Sequence, residues 1–538
     1  MNHARSVSTF LVVLASITGC VGDMPPPPGL EVTSPERGLM QESGRVVVKG
    51  TTQPNADGDP VARVTVNKVP AMLAPDGSFT AIVDVPAGAT LLETVATTQD
   101  GGSATDARAV QSGKRHQVGT PIERAVTAAL SADAFAKLSS AAGPLIRNVN
   151  LASQLAPVTL GDGIANVRLS LTRLAFGDVT ISMTPIAGGL AFSTQLDQLD
   201  VAASAAYGGT LVPDGTTTIG ITAERITITG TLLVTPAGTS GFTTTISSPV
   251  VQTIGLRLNA SGLVGQILQV VNNNLASTVQ KLTTRAAERG LEPLMNTALG
   301  ALAGPQRIDV LGKTLDLQVS PSAIVFTPAG ALVTMSLQAK LAGTESSPGY
   351  ILTPNGTPAM DGSSDLQLGL ADDLINELLA QLHALGLFDI HLPKDFGVFD
   401  TIDLELALPP MVSANNDDGT LRIVLGDMIA TISNDGSPLA RAAINARVDL
   451  EILRGANPQQ VAIEFGHLEL WVNVLRDANT ESGGFDISSA AAAGIGIQLD
   501  SVSRFLVNVP VPAVAGVTLE NLSMHADSGY LVIAGDVD

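Results

Sequence analysis

Six histidines, one thiol and two short runs of Asp and Asn are the side chains of this 538-residue chain with an obvious capacity for chemistry. His3, His116, His383, His391, His467 and His525 form no H-x-x-x-H pair of the kind that holds zinc on one helix face. The only cysteine is Cys20, which rules out an internal disulfide. Neither a G-x-S-x-G elbow nor a Walker-type phosphate loop is present. Asn55-Ala56-Asp57-Gly58-Asp59 and Asn415-Asn416-Asp417-Asp418-Gly419 look like calcium loops, yet both lack EF-hand spacing and sit between strand-like runs. Turns are the better reading of both. These residues predict a protein that is not an enzyme and needs no cofactor or metal.

Cys20 has a different chemistry open to it. It ends Leu14-Ala15-Ser16-Ile17-Thr18-Gly19-Cys20, the close of an apolar run that starts at Val7, behind a short head with Arg5. A charged head, an apolar stretch and small residues before a cut make a secretory signal. The cysteine after them resembles a lipobox, in which its sulfur is lipidated and it becomes the first mature residue. The run falls short of the roughly 20 residues that span a bilayer. The expected segments are a lipoprotein signal over 1–19 and a proline-rich tether over 20–29, with Pro25-Pro26-Pro27-Pro28 as a stiff spacer. Val21 after the cysteine is not an acidic inner-membrane retention signal, so the outer membrane is the expected location, on its periplasmic face or the cell surface.

Composition narrows the partners. Apolar residues make up 45% of the chain but aromatics only 3%, so aliphatic burial is plentiful and stacking platforms for bases or sugars are few. A net charge of −21 argues against nucleic acid, whose phosphates need Lys and Arg. The charge is concentrated late: residues 306–538 hold 10 basic and 29 acidic residues, against 10 and 10 in 120–305.

Elements that could position a site follow from periodicity. Residues 30–115 read as short strands, Arg45–Lys49, Val61–Asn67, Ser78–Val85 and Thr90–Thr98, with Asp76-Gly77 and Asp100-Gly101-Gly102 as tight turns. From about Thr120 the strands lengthen. Ile219, Ile221, Ile226 and Ile228 alternate with polar neighbours, as do Ile402, Leu404, Leu406 and Leu408, and Leu468, Leu470, Val472 and Val474. Such alternation makes sheets with one dry face. Helices must cover that face. The spacing predicts one over about Ser261–Ala303 with a stripe of Val264, Leu268, Val271, Leu275, Val279, Leu282 and Ala286, and a bend near Pro293. A second starts at Ala371-Asp372-Asp373, its two acids suiting the helix dipole, with Leu374, Leu378, Leu382 and Leu385 on one face and Gly386 at its end. A third opens at Ser131 as N-cap and carries Phe135 and Leu138.

Two resemblances add to this. Val64-Thr65-Val66-Asn67, Pro75-Asp76-Gly77-Ser78-Phe79 and Ala96 to Gly101 look like a bacterial Ig-like domain, usually a spacer or adhesion module. Residues 120–538 resemble, in order, the tubular lipid-binding superfamily of the bactericidal/permeability-increasing protein. The matching segments are Leu130–Phe135, Gly189–Ser193, the helix around Glu292-Pro293-Leu294, Leu368–Asn376 continuing to Phe388, Asn508–Pro512, Leu519–Leu522 and Gly529–Ile533. The resemblance implies an α+β fold: two elongated barrels of highly twisted antiparallel sheet wrapped around long amphipathic helices, over 120–305 and 306–538, behind an all-β Ig-like sandwich over 30–115. It implies apolar pockets for phospholipid or lipopolysaccharide acyl chains, with Ile267, Val271, Leu275 and Val279 facing the first and Leu374, Leu378 and Leu382 the second.

This sequence departs from that family in two ways. Its first block is neutral where the antibacterial members are basic, and the usual barrel disulfide cannot form. Lys281, Arg285 and Arg289 could make a basic stripe, but a solvated helix face paired with Glu288 and Glu292 is the better reading. Lipid binding, with transfer as its extension, is therefore expected, with membrane attachment through the N-terminal lipid. The alternative is a non-catalytic cell-surface adhesion protein of stacked β-domains with no small ligand.

Overall fold

A computed structural model describes residues 25–42, 44–147, 156–210, 212–263, 265–300, 304–310, 313–344, 347–358, 364–393, 401–416, 419–434, 436–454, 461–477 and 519–537. Cys20 with the segment read as its signal, and residues 508–512, lie outside them. The described chain is mostly antiparallel β, with three α-helices: α1 (Ala132–Arg147), α2 (Gly265–Gly300) and α3 (Asp372–Ala384).

At the front, two sheets share one core. Gly29–Ser34, Arg45–Gln53, Ser78–Asp84 and Met72–Leu73 form the first, and Leu39–Gln41, Ser103–Ser112, Gly88–Thr98, Val61–Val66 and Val69–Pro70 the second. Burial alternates strictly along Arg45–Gln53, so Val46 and Val48 point inward with Phe79 and Val83 from the neighbouring strand. Each such side chain contributes about 1.5–3 kcal/mol when removed from water. Gly50 has to be glycine, because a Cβ there would lie 2.2 Å from the Glu31 carbonyl oxygen and 2.6 Å from the Phe79 ring. Pro28, in the segment read as a spacer, is buried.

Three further sheets follow. One runs Val158–Gly161, Asn166–Ala175, Gly189–Gly209, Val212–Pro236 and Phe242–Ile254, with Val179–Ile186 and Arg257–Asn259 alongside. The second runs Gly304–Val310, Lys313–Thr327, Gly330–Leu341, Ile122–Ser131, Leu366–Ala371, Tyr530–Val537 and Leu519–Asp527. The third holds Ile390–Pro393, Thr401–Leu406, Leu421–Asn434, Ser437–Arg454 and Val461–Asp477, with Met411–Ser413 beside them. The strand Ile122–Ser131 thus pairs with two strands from beyond residue 306, and its sheet crosses the boundary expected at 305/306. The reason is local: residues Ala125 to Leu130 are buried on both faces, as a central strand requires.

Several bulges bend these sheets, and four of them share one feature. Each of the four centres on a non-glycine residue at positive φ: Arg124 (57°), Ser248 (52°), Asp427 (47°) and Asn521 (54°). A bulge adds one residue to one strand and so increases local twist and curvature.

The front sheets are bolted to the third sheet rather than hung from it. Arg37 donates from Nη1 to Asp427 Oδ1 at 2.8 Å and from Nη2 to Asp106 Oδ2 at 3.0 Å, while the Gly38 N–H donates to Asp427 Oδ2 at 2.9 Å. Asp427 is fully buried, and its own N–H donates to Asn445 Oδ1. Asn445 in turn donates to the Ala107 carbonyl, and Asn473 Oδ1 accepts the Ala107 N–H. Beside them Gly426 lets Ala109 approach to where its own Cβ would stand, at 2.5 Å. The connecting segment Lys114–His116 is itself a strand, paired with Tyr350–Leu352.

Candidate functional site

The longest helix lies along an apolar sheet face. α2 packs on the strands Phe242–Ile254, Val158–Gly161, Asn166–Ala175 and Val212–Pro236. Ile267 and Val271 are buried in one cluster with Leu160, Val167, Leu169 and Ile219. Leu275 and Val279 are buried in a second, larger cluster that includes Leu190, Phe192, Ile226, Ile228 and Leu232. The four residues named from sequence therefore share one helix face, directed at the sheet. Leu268, read as part of the stripe, is 39% exposed, and Ile267 takes the inward place. With 36 residues and one apolar face, α2 covers the length of the sheet.

Sequence reasoning overlooked the polar atoms in this interior. The hydroxyls of Thr194, Thr244 and Thr278 are buried and have no hydrogen-bond partner among the described residues. Thr283 is buried too, but satisfies itself on the Val279 carbonyl at 2.8 Å. An available signal was that Thr194 and Thr244 occupy inward positions of strands whose other inward residues, Phe192, Leu196 and Phe242, are apolar. A buried hydroxyl left unpaired costs about 1–3 kcal/mol, so such groups call for an account.

Toward its C-terminal end α2 fastens itself to an edge strand. Glu292 Oε1 accepts the Ile246 N–H at 3.0 Å and Asn296 Oδ1 accepts the Thr244 N–H at 2.8 Å. These bonds cover the open edge of Phe242–Ile254. Glu292, expected to pair with the arginines of its own helix, is turned to the sheet instead. Lys281, Arg285 and Arg289 are all exposed.

α3 departs furthest from its sequence reading. Leu374 and Leu382 are buried and Leu378 is half-buried, but Ile375 and Leu379 are buried as well, and so are the polar residues between them. Asp372 and Asp373, read as partners of the helix dipole, are buried. Asp372 Oδ2 accepts the Ala414 N–H at 2.9 Å, and the Thr353 hydroxyl stands 2.7 Å from Asp372 Oδ1 and 2.9 Å from Asp373 Oδ1. Asn376 bonds both the N–H and the carbonyl of Val412, and Gln381 does the same for the Leu341 N–H and the Ala339 carbonyl. The polar side of α3 is thus a set of staples to sheet backbone.

Burial also changes the acids. It lifts Asp373 to about 7 and Glu377 to about 8, and it raises Asp372. Glu377 Oε1 accepts the Gly119 N–H at 2.5 Å, while its Oε2 and the hydroxyl of Tyr350 are buried without partners among the described residues. Burial raises the Tyr350 hydroxyl as well. Among the described residues no three of His, Cys, Asp or Glu converge as metal ligands. Asn55 Oδ1 accepts the N–H groups of Asp57 and Asp59, so the first acid-rich loop is held as a turn; in the second, Asn416 Nδ2 donates to the Ser413 and Thr420 carbonyls, and Asp417 and Asp418 lie outside the described residues. His383 Nε2 lies 2.8 Å from the Leu406 carbonyl.

Taken together, the fold is a mostly-β chain in which long helices lie on curved antiparallel sheets. It is similar, distantly, to a solved lipopolysaccharide binding protein, at 14% identity and a TM-score of 0.42 over 78% of this chain and 99% of that one. P47 of Clostridium botulinum E1 is similar at 8% identity and 0.30, over 78% of this chain and 100% of that one. P47 from Clostridium botulinum A2 is similar at 7% and 0.27, over 76% and 96%. No family model and no curated protein matches the sequence.

Proposed function

We propose that this chain is a non-catalytic lipoprotein of the outer membrane, anchored through Cys20, that binds lipid acyl chains in the apolar interior of a two-barrel body behind an Ig-like front domain. The observation that carries the reading is α2: one face, from Ile267 to Val279, lies on an aliphatic sheet, and the interior between them holds hydroxyls that have no partner among the described residues. An acyl chain gains about 0.8 kcal/mol per buried methylene, so no charged contact is needed to hold it. Its ester oxygens are acceptors of the kind that Thr194, Thr244 and Thr278 lack. The resemblance of residues 120–538 to the tubular lipid-binding superfamily supports the same reading.

The test is lipid extraction and mass spectrometry of protein purified from the membrane-free fraction after Cys20→Ala substitution. Co-purifying phospholipid or lipopolysaccharide at one or two molecules per chain is expected. Protein that carries no lipid after gentle purification, and takes up none from vesicles, would leave the adhesion reading in its place.

A further inference from the structure

We infer that the trough between the front sheets and the third sheet binds an uncharged saccharide, at a site separate from the α2 interior. One face of the third sheet is polar along three successive strands, with cross-strand partners in register: Arg422 beside Asp449, Arg447 beside Glu469, and Asn445 beside Trp471. At the Asn445 and Asn473 end this face is docked on the front sheets. Further along, the two parts separate and leave a cavity of about 720 Å³, walled on the other side by residues 86–91. A second hollow of about 290 Å³ adjoins it and shares Arg422 and Arg447. The larger volume falls within the roughly 300–1,000 Å³ of small-ligand pockets.

The charges say what the trough would take. Across both hollows three cations, Lys68, Arg422 and Arg447, meet three carboxylates, Glu93, Asp449 and Glu469. Arg422 Nε donates to Asp449 Oδ1 at 2.6 Å and Arg447 Nε to Glu469 Oε2 at 2.5 Å, so an incoming anion would have to compete with carboxylates already in place. An acyl chain would have to strip water from those same ion pairs. A polyol does neither. Each hydroxyl both donates and accepts, so it can bridge a carboxylate oxygen and a cationic N–H while leaving their pairing intact. Ring surface for the carbon face of a sugar comes from Trp471, oriented by its Nε1–H on Glu93 Oε1 at 3.3 Å and by the Arg447 guanidinium 5.6 Å from its centroid. Lys68 is exposed, projects from a turn at φ 66°, and has no hydrogen bond or ion pair among the described residues.

Trp471 is the only tryptophan of the chain, so its emission reports on this trough alone. The intact protein is titrated with maltotriose, cellotriose and triacetylchitotriose. A saturable emission change with at least one of them is expected, and Lys68→Ala should weaken it about tenfold, the loss of one charge-assisted hydrogen bond. Lys68 is on the surface, so an unchanged melting temperature separates that loss from unfolding. Arg447→Gln should abolish the response. The proposal is overturned if none of the three sugars gives a saturable change, or if the response comes only with inorganic phosphate or phosphatidylglycerol vesicles.

Discussion

Glu377 and Asp373 are acids held in surroundings that water barely reaches. Burial raises both, to about 8 and about 7, so the folded state holds protons that the unfolded chain has released. Stability from these two groups is therefore fully present below about pH 4, declines as pH rises, and is gone above about pH 8. Urea unfolding at pH 5.5 and 8.5 should show a lower midpoint at the higher pH, and Glu377→Gln should flatten much of that slope. Arg37 makes the opposite kind of prediction. Arg37→Ala leaves Asp427 as an uncompensated buried charge, which costs about 3–5 kcal/mol, visible as a fall in melting temperature. None of this was legible in the sequence. Asp372-Asp373 before an apolar helix is also how a solvated N-terminus is written, and only tertiary packing decides whether water reaches it.

Among the elements, strand alternation carried the most information. Ile219, Ile221, Ile226 and Ile228 are all buried, as are Ile402, Leu404 and Leu406, because each lies on a sheet covered on that side, and Leu408 is buried in the bend just past its strand. The same pattern on Val461–Asp477 ends otherwise: Leu468 is 42% and Val474 55% exposed. Period two reports which residues share a face, not whether anything covers it. Helix faces shift by one residue for a related reason, since at α2 both Ile267 and Leu268 are apolar and only packing selects between them. The bulges at Arg124, Ser248, Asp427 and Asn521 leave no compositional trace, as none is a glycine. A variant at α2 tests what its face does. Leu275→Trp adds bulk to a buried position, so bound lipid per chain should fall by half or more in mass spectrometry of a folded variant. An unchanged lipid content would make Leu275 ordinary core.

For the whole molecule, charge and docking pull in different directions. The surplus of 29 acidic over 10 basic residues beyond 306 keeps that part soluble and repels anionic surfaces. The front sheets nonetheless sit against it through buried contacts, the Arg37–Asp427 ion pair and the Asn445 and Asn473 bonds to Ala107. Lys114 and Arg115, in the segment that joins the two, are exposed trypsin sites held inside a paired strand. Trypsin should cut there only slowly under native conditions, and readily once Arg37→Ala loosens the dock. Rapid cleavage of the unaltered protein at Lys114 would mean that the two parts move independently.

Because Asp427 occupies a bulge in an interior strand while gripping the backbone at Gly38, a pull on the amino end is not absorbed at any joint. It travels through one carboxylate into the sheet whose side strand, Met411–Ser413, packs on α3. A dock of this kind hands strain at the front sheets to an interior strand instead of to a hinge.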